Sequence, residues 1–466
     1  MQLKLKGKDF LLWIINIVLL IASIIEAFSS KSIQNDNWAE VAFYLSIICI
    51  SVNVLTMISL KVRISDFRIP FTVLTYLFMY GRIWLHYLNL DSEIFWVLHK
   101  FFLYDNLQLS SLYVVACTQA LFIGLFIKES LISKEEYVLS NDANYGSGML
   151  SSTGYLLLMI GIPCRLITDI NSIMSTATTG NYNSITIQTG LVDDFAHLLI
   201  PGLLCLLEAK PKIRKPLIII IAVYYIAMMS VTGDRRYYVA GLLAIVAYYL
   251  SKREERIRPI RAIGIIALGV IFLNFLEIIR VMRLGGLGSV LSFASKYGTD
   301  LFVFDNLLYD VLAEFGISFY SVVNIVSNIP GYMPFQYGAT LLRCIPSVLP
   351  IGSFFGDFFD KASPSTLINK YTGYPVGATM FGDLYANFSI WGILVCVLLG
   401  LVIYSIFEKR KKSTHPLRTV LYYTSYYILI NMVRCTFFEI FRAYIWCIYI
   451  PIIIYSLINR KTGRAS

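Results

Sequence analysis

The run FLLWIINIVLLIASIIEAF (residues 10–28) decides the fold class, because it is apolar over a length that crosses a bilayer. Lys4, Lys6 and Lys8 precede it and no small-residue cleavage site follows it, so we predict a retained first transmembrane helix. The whole chain shares this character. Of its 466 residues 57% are hydrophobic and only 15% are charged, whereas a soluble domain carries about 25% charged residues. The composition therefore predicts a polytopic membrane protein.

Comparable apolar runs recur along the chain, and each is read as one helix. They predict an all-α protein with about twelve transmembrane helices that form a single integral membrane domain over residues 1–466. We see no internal repeat of the kind that many secondary transporters carry. The runs lie at residues 10–28, 39–60, 69–89, 112–127, 151–168, 191–207, 216–231, 237–250, 260–279, 385–407, 419–433 and 440–458.

Basic residues cluster at alternate connections and at both ends of the chain. These clusters hold 25 of the 39 lysines and arginines but only nine of the 29 acidic residues. Loops rich in Lys and Arg remain in the cytoplasm, so we predict that both termini are cytoplasmic. The net charge of +10 is then a topology signal, and a nucleic-acid partner is not expected.

The same alternation places the long segment 281–384, between predicted helices 9 and 10, on the outer side. Residues 301–328 predict one or two amphipathic helices within it. The stretch IPGYMPFQYG (329–338) breaks helicity with two prolines and two glycines. We expect another short helix over residues 340–345 and a loop over residues 352–382.

Arginines concentrate at the outer side of the predicted membrane. An arginine within a span is costly and usually faces a partner or a polar cavity, and its planar fork suits phosphate. A set of outer arginines therefore predicts a site for an anionic lipid headgroup. The plain alternative is that each one snorkels or pairs with an acid, as Arg280 can with Glu277. The candidate ligands are Arg82, Arg165, Arg235, Arg236, Arg280, Arg283 and Arg343.

Arg235 and Arg236 belong to the turn TGDRR (232–236) at the outer start of a predicted helix, where backbone N–H groups also attract anions. A sugar hydroxyl that attacks an anomeric carbon needs a base within reach. Segment 281–384 contains no histidine, so a carboxylate is the ordinary choice there. Glu314 and Asp383 are the candidates with the least ordinary surroundings. The alternative is that each of these acids is a surface charge or a salt-bridge partner.

The eight cysteines and four histidines are scattered and form no CxxC pair. This distribution supports no disulfide framework and no metal site. We accordingly expect no cofactor.

Three stretches resemble the Wzy-type family of polysaccharide repeat-unit polymerases, which make O-antigen, capsule or exopolysaccharide. They are AEFGISFYSVVNIVSNIPGYMPFQYGATLLRCIPSVLP (313–350), GATMFGDLYANFSIWG (377–392) and VTGDRRYYVAGLL (231–243). The family pattern differs at two positions, with Glu where this chain has Asp383 and Gly where it has Ser389.

The resemblance implies a multi-span, metal-independent glycosyltransferase with a GT-C-like fold in the bacterial plasma membrane. Its active site would lie on the periplasmic or extracellular side. It would transfer a glycan from undecaprenyl pyrophosphate to the nonreducing end of another lipid-linked repeat unit, among membrane lipids and with a chain-length regulator protein as a further partner.

On this reading Asp383, Glu314, Arg280 and Arg283 are catalytic, and the other outer arginines bind substrate together with Tyr385, Asn387 and Tyr337. Further aromatics able to stack on sugar rings are Tyr332, Phe335, Tyr371 and Tyr374.

Two other functions remain open. A flippase for lipid-linked oligosaccharides, or another transporter, also needs many spans, although no repeat is visible. A ligase of the O-antigen type shares the large external loop, but those enzymes rely on a loop histidine, which segment 281–384 lacks.

Overall fold

The computed structural model describes residues 7–30, 37–63, 65–90, 98–131, 147–179, 191–232, 236–252, 304–349, 358–373, 377–412, 415 and 417–462. Within these ranges every regular element is helical, which confirms the all-α prediction. The α-helices are α1 (Gly7–Ser29), α2 (Trp38–Ser59), α3 (Arg68–Tyr87), α4 (Leu98–Phe101), α5 (Tyr104–Leu131), α6 (Ser147–Thr179), α7 (Leu191–Ala196), α8 (Leu199–Ala209), α9 (Arg214–Thr232), α10 (Arg236–Ser251), α11 (Phe304–Gly316), α12 (Ser318–Asn328), α13 (Ala339–Arg343), α14 (Pro364–Thr372), α15 (Met380–Phe388), α16 (Gly392–Lys412), α17 (Arg418–Leu429) and α18 (Phe437–Thr462).

Eight stretches of the described chain are long and apolar enough to cross a membrane, as expected of a polytopic membrane protein. The predicted count of about twelve stays a prediction, and its run 260–279 lies outside the described residues. The eight stretches are Phe10–Ser29, Trp38–Ser59, Tyr104–Glu129, Ser147–Thr178, Arg214–Thr232, Val311–Asn328, Met380–Arg410 and Phe437–Arg460.

Three predicted runs are interrupted rather than continuous. Run 191–207 divides into α7 and α8 around His197, where i→i+3 hydrogen bonds from the N–H groups of His197 and Leu198 tighten the backbone. Short 3₁₀ turns also interrupt the last part of the chain, at Ser389–Trp391 and Ile430–Arg434. Such breaks expose backbone groups that a regular helix would satisfy internally.

The segment predicted to be external contains more helix than expected. Residues 301–328 yield two helices, α11 and α12, which meet at Ile317. Their stretch Val311–Asn328 is itself apolar enough to span a membrane.

The predicted loop over 352–382 is wrong where α14 forms. Ser363 caps its N-terminus, Pro364 occupies the first turn, and Gly373 ends it with φ +72°. These are the usual start and stop signals of a helix.

The chain divides into two compact units. The first comprises Met1–Val138, Leu312–Lys409 and Met432–Phe441, and the second comprises Leu139–Val311, Arg410–Asn431 and Arg442–Ser466. Each is described by itself below.

Buried amides connect the long helices of the first unit. Asn53 on α2 donates to Oε1 of Gln119 on α5 (3.0 Å), and Gln119 donates to Oδ1 of Asn16 on α1 (2.8 Å). Helices α5 and α16 pack closely at Gly124, where an added Cβ atom would lie 2.2 Å from the carbonyl oxygen of Val397. Interhelical amides and small residues are typical of helix packing within membranes.

Candidate functional site

A buried ion pair on α6 is the centre of the polar cluster in the second unit. Arg165 and Asp169 stand one helical turn apart, and an Nη2 to Oδ1 distance of 2.7 Å joins them. The side chain of Arg165 is 13% exposed and that of Asp169 is 4% exposed. A pair this well buried needs further hydrogen bonds to offset its desolvation.

Two tyrosines supply those bonds to Asp169. Tyr238 on α10 donates to Oδ1 at 2.7 Å, and Tyr224 on α9 donates to Oδ2. The guanidinium of Arg165 also lies over the Tyr238 ring, 4.4 Å from its centroid. Asp169 is therefore occupied on both oxygens and serves to hold Arg165 in place.

His197 lies in the break between α7 and α8 and belongs to the same cluster. Its Nδ1 is 2.7 Å from the hydroxyl of Tyr427 on α17, and its ring meets the Tyr237 ring edge-on, with 4.5 Å between centroids. Arg236 donates to the Tyr237 hydroxyl at 2.8 Å and stacks on that ring. The break in the predicted run 191–207 thus places an imidazole beside an arginine from α10.

The rings of two adjacent tyrosines connect these residues: Arg165 lies over Tyr238, and Arg236 lies over Tyr237, which contacts His197. We refer to Arg165, Arg236, His197 and Tyr427 as the arginine–histidine cluster. In the described part of the chain, Nε of Arg165 is buried without an acceptor, and the contact of His197 with Tyr427 uses Nδ1 rather than Nε2. The cluster therefore retains a cationic donor and an imidazole nitrogen that can act on a bound molecule.

A second ion pair in this unit joins Asp194 on α7 to Arg442 on α18. It fixes the end of the short helix that leads into His197. Phe195, next to Asp194, contacts Trp446 one turn further along α18. These contacts fix the position of the break between α7 and α8.

The first unit holds Asp383, near the start of α15. The residue is 1% exposed, and its Oδ2 accepts a hydrogen bond of 2.8 Å from the N–H of Phe437, the first residue of α18. A carboxylate at this place caps the N-terminus of α18 and interacts favourably with the helix dipole. Oδ1 is buried with no partner among the described residues. The base role predicted for Asp383 stays a prediction.

Asn387, one turn after Asp383, uses its amide entirely within the protein. Nδ2 donates to Oγ1 of Thr340 and to the carbonyl of Asp383, both at 2.7 Å, and Oδ1 accepts from the N–H of Gly338. An amide has only two N–H donors, so a contact with substrate would have to replace one of these bonds.

The two tyrosines predicted to bind substrate differ in exposure. Tyr385 is 3% exposed and lies between the rings of Tyr113 and Phe335. Tyr337 is 83% exposed, and its N–H donates to the carbonyl of Asn387 at 2.9 Å. Only Tyr337 therefore offers its ring face to solvent.

Arg82 and Glu314 lie on two closely packed helices, α3 and α11. A Cβ atom on Gly81 would lie 2.3 Å from the Leu312 carbonyl oxygen. Arg82 is 1% exposed and its Nε donates to the carbonyl of Ala313 at 2.9 Å. Glu314 is half-buried. Arg82 thus contacts the residue that precedes Glu314.

Arg343, at the end of α13, ties two loops together. Its Nη1 donates to Oε1 of Gln336 (3.3 Å) and to the carbonyl of Lys361 (3.1 Å).

Cys344 follows Arg343 directly in the sequence. Burial, and to a smaller extent the Asp383 carboxylate, raise the pKa of the Cys344 thiol to about 12. That thiol stays protonated at neutral pH and is a poor nucleophile.

Three predicted site residues, Arg235, Arg280 and Arg283, lie outside the described residues. Within the described ranges, no group of three or more His, Cys, Asp or Glu side chains is arranged to hold a metal ion. The predicted residues therefore fall into two sets, Arg165 with Arg236 in one unit, and Arg82, Glu314, Arg343, Tyr337, Asp383, Tyr385 and Asn387 in the other.

Sequence reasoning missed His197. It was judged only as a metal ligand and as one of four dispersed histidines. The signal that points to it is local, because two acids and a histidine in VDDFAH (192–197) interrupt an otherwise apolar run.

The family model described as O-antigen polysaccharide polymerase Wzy matches residues 11–462, nearly the whole chain. No individually curated protein and no solved structure matches it.

Proposed function

The chain belongs to the O-antigen polysaccharide polymerase Wzy family, and from that premise we propose that it polymerises lipid-linked oligosaccharide repeat units at the outer face of the bacterial plasma membrane. The glycan carried on undecaprenyl pyrophosphate is transferred to the nonreducing end of another lipid-linked repeat unit. An acceptor hydroxyl oxygen bonds to the anomeric carbon, the bond from that carbon to the pyrophosphate oxygen breaks, and the hydroxyl proton passes to a base.

One observation carries the proposal, namely that the buried Nε of Arg165 has no acceptor among the described residues, in the same unit in which Arg236 stacks on Tyr237 and the Tyr237 ring meets His197. Arg165 and Arg236 provide planar donors that suit the oxygens of a pyrophosphate. They stabilise the charge that develops on the leaving group, and such preorganised stabilisation is often the largest catalytic contribution. Asp169 and Tyr238 hold Arg165 in place before substrate arrives.

His197 accepts the proton of the acceptor hydroxyl through Nε2. Tyr427 holds the other ring nitrogen at 2.7 Å and so orients the imidazole. A neutral imidazole is the most common general base in enzymes. Burial, and to a smaller extent the charges of Arg165 and Arg236, lower the pKa of His197 and disfavour its imidazolium form, and the negative charge of a bound pyrophosphate offsets the arginine contribution.

The remaining predicted residues take supporting roles. Arg235, Arg280 and Arg283 add positive charge for the pyrophosphate, and Arg82 and Arg343, in the first unit, are competing candidates for binding it. Asp383 and Glu314 are competing candidates for the base. The transfer needs no metal ion, because arginines supply the positive charge. A chain-length regulator is a further proposed partner.

The experiment is to incubate the purified protein with a lipid-pyrophosphate oligosaccharide and separate the products by size. We expect a ladder spaced by one repeat unit. Lipid flipping across vesicles without a ladder would instead identify a flippase. A single addition to an unrelated acceptor would identify a ligase.

A further inference from the structure

Two half-exposed tyrosines of the first unit stack on one another. Tyr332 is 49% exposed and Tyr371 is 58% exposed, and their ring centroids lie 3.7 Å apart with 18° between the planes. Tyr332 lies in the turn after α12, whereas Tyr371 is in the last turn of α14. Each ring therefore covers one face of the other, while about half of each residue stays exposed.

Hydrogen bonds fix the two segments that carry the rings. The N–H of Tyr332 donates to the carbonyl of Asn328 at 2.7 Å. Asn324 on α12 donates to Oδ1 of Asn369 (3.1 Å) and to Oγ1 of Thr372 (3.3 Å), both on α14. Asn369 in turn donates to the carbonyl of Gly377 at 3.1 Å. The aromatic pair is thus held in place before any ligand binds.

The surroundings of the pair favour a sugar ligand over lipid. Tyrosine is also common at the membrane–water interface, but an interfacial helix exposes a continuous apolar face. On α14 the exposed residues besides Tyr371 are Thr366 and Lys370, which are both polar. Rigid tyrosine rings beside amides offer an apolar face and hydrogen-bonding groups together. The C–H face of a sugar ring can stack on the apolar tyrosine face, and its hydroxyls can bond to the hydrogen-bonding groups.

We propose that Tyr332 and Tyr371 form a glycan-binding surface that holds the growing polymer between successive transfers. The inference rests on the proposed polymerase function and adds a subsite for the uncharged face of sugar rings. A chain held there stays bound after each transfer and is extended again. The surface therefore sets polymer length without taking part in bond formation.

The test compares the double variant Tyr332→Ala/Tyr371→Ala with the wild type in two assays. One is the size distribution and first-transfer rate on a lipid-pyrophosphate oligosaccharide. The other is binding of lipid-free polymer, released by mild acid from the lipid carrier of the host strain. Loss of one or two stacking contacts predicts about threefold to tenfold weaker binding. We expect shorter polymer and a first-transfer rate within about twofold of wild type.

Two matched controls accompany it. Tyr332→Phe/Tyr371→Phe keeps both rings and should keep polymer length. Tyr104→Ala removes another half-exposed tyrosine (51%) of the same unit and should change nothing. Thermal unfolding in detergent confirms that every variant is folded.

Unchanged polymer length and unchanged binding in the folded double variant would overturn the inference. A defect that appears in liposomes but not in detergent would also overturn it, because it would identify the tyrosines as membrane anchors. Absence of any ladder from the wild type would instead contradict the proposed function itself.

Discussion

The two units bury an aspartate in opposite ways. In the second unit both oxygens of Asp169 are hydrogen-bonded and an arginine stands beside it. In the first unit Asp383 uses one oxygen to cap α18, while the other has no partner among the described residues. A buried carboxylate can therefore serve to position a cation or to join two helices, and neither role requires it to accept a proton.

The difference extends to the neighbouring residues. Around Asp383, the amide of Asn387 and the ring of Tyr385 are occupied by contacts within the protein. Around Asp169, the arginine–histidine cluster keeps a donor of Arg165 without an acceptor among the described residues, and His197 contacts Tyr427 through Nδ1 rather than Nε2. We therefore propose that the cluster carries the chemistry and that the contacts of Asp383 are structural.

The ion pair in the second unit provides the strongest test. Arg165→Ala alone leaves Asp169 as an uncompensated buried charge, so the variant to use is Arg165→Ala/Asp169→Asn. We expect normal insertion and thermal stability but a loss of about 10²–10³-fold in transfer rate, the usual cost of removing one preorganised donor. The first-transfer rate on a lipid-pyrophosphate oligosaccharide measures it.

Arg460→Ala is its control, since Arg460 is exposed at the end of α18. A wild-type first-transfer rate in the double variant would show that Arg165 has only a structural role.

His197→Gln keeps a polar side chain of similar size but removes the basic nitrogen. We expect a loss of about 10²-fold or more in the first-transfer rate, as for removal of a general base. Binding of the lipid-pyrophosphate donor should stay near the wild-type value, because the arginines remain. A folded His197→Gln variant with wild-type turnover would exclude His197 as the base.

Tyr427→Phe removes the hydroxyl that orients His197. Loss of one hydrogen bond predicts a fall of about twofold to tenfold in turnover number, with KM unchanged. Steady-state kinetics separates the two parameters. Equal changes in turnover and KM, or none in turnover, would contradict a positioning role.

Asp383→Ala should affect stability more than chemistry. Removing a helix cap costs about 1–2 kcal/mol, so we expect a lower unfolding midpoint and a transfer rate per folded molecule within about threefold of wild type. Asp383→Asn should restore stability, because Asn caps helices as well as Asp does. Loss of transfer in a stable Asp383→Asn variant would restore Asp383 as the base.

Much of the fold could be predicted because apolar runs of bilayer length are a strong local signal. Helices α1, α2 and α9 follow the predicted runs closely. Helix α14 was missed because PSTLINKYT has no apolar periodicity, although Ser363 and Gly373 mark its ends. The break at His197 was missed because hydropathy averages over the single turn that contains it.

The candidate site was harder to predict for a physical reason. Arg165, Arg236, His197 and Tyr427 come from separate segments, and only folding brings their charges and hydroxyls together. The sequence marks Arg165 as a costly residue in an apolar run and Arg236 as part of a turn at a helix start, but it could not show that His197 contacts the tyrosine on which Arg236 stacks. Conversely, the FGDLYANF stretch (381–388) has the composition of a site, while most of its polar contacts are those of helix packing.

The most direct test of the central claim is an experimental structure of the protein with a lipid-pyrophosphate oligosaccharide bound. We predict pyrophosphate oxygens within hydrogen-bond distance of Arg165 and Arg236, with Nε2 of His197 facing the acceptor hydroxyl. A pyrophosphate bound at Arg82 or Arg343, with the acceptor hydroxyl at Asp383 and the arginine–histidine cluster empty, would contradict it.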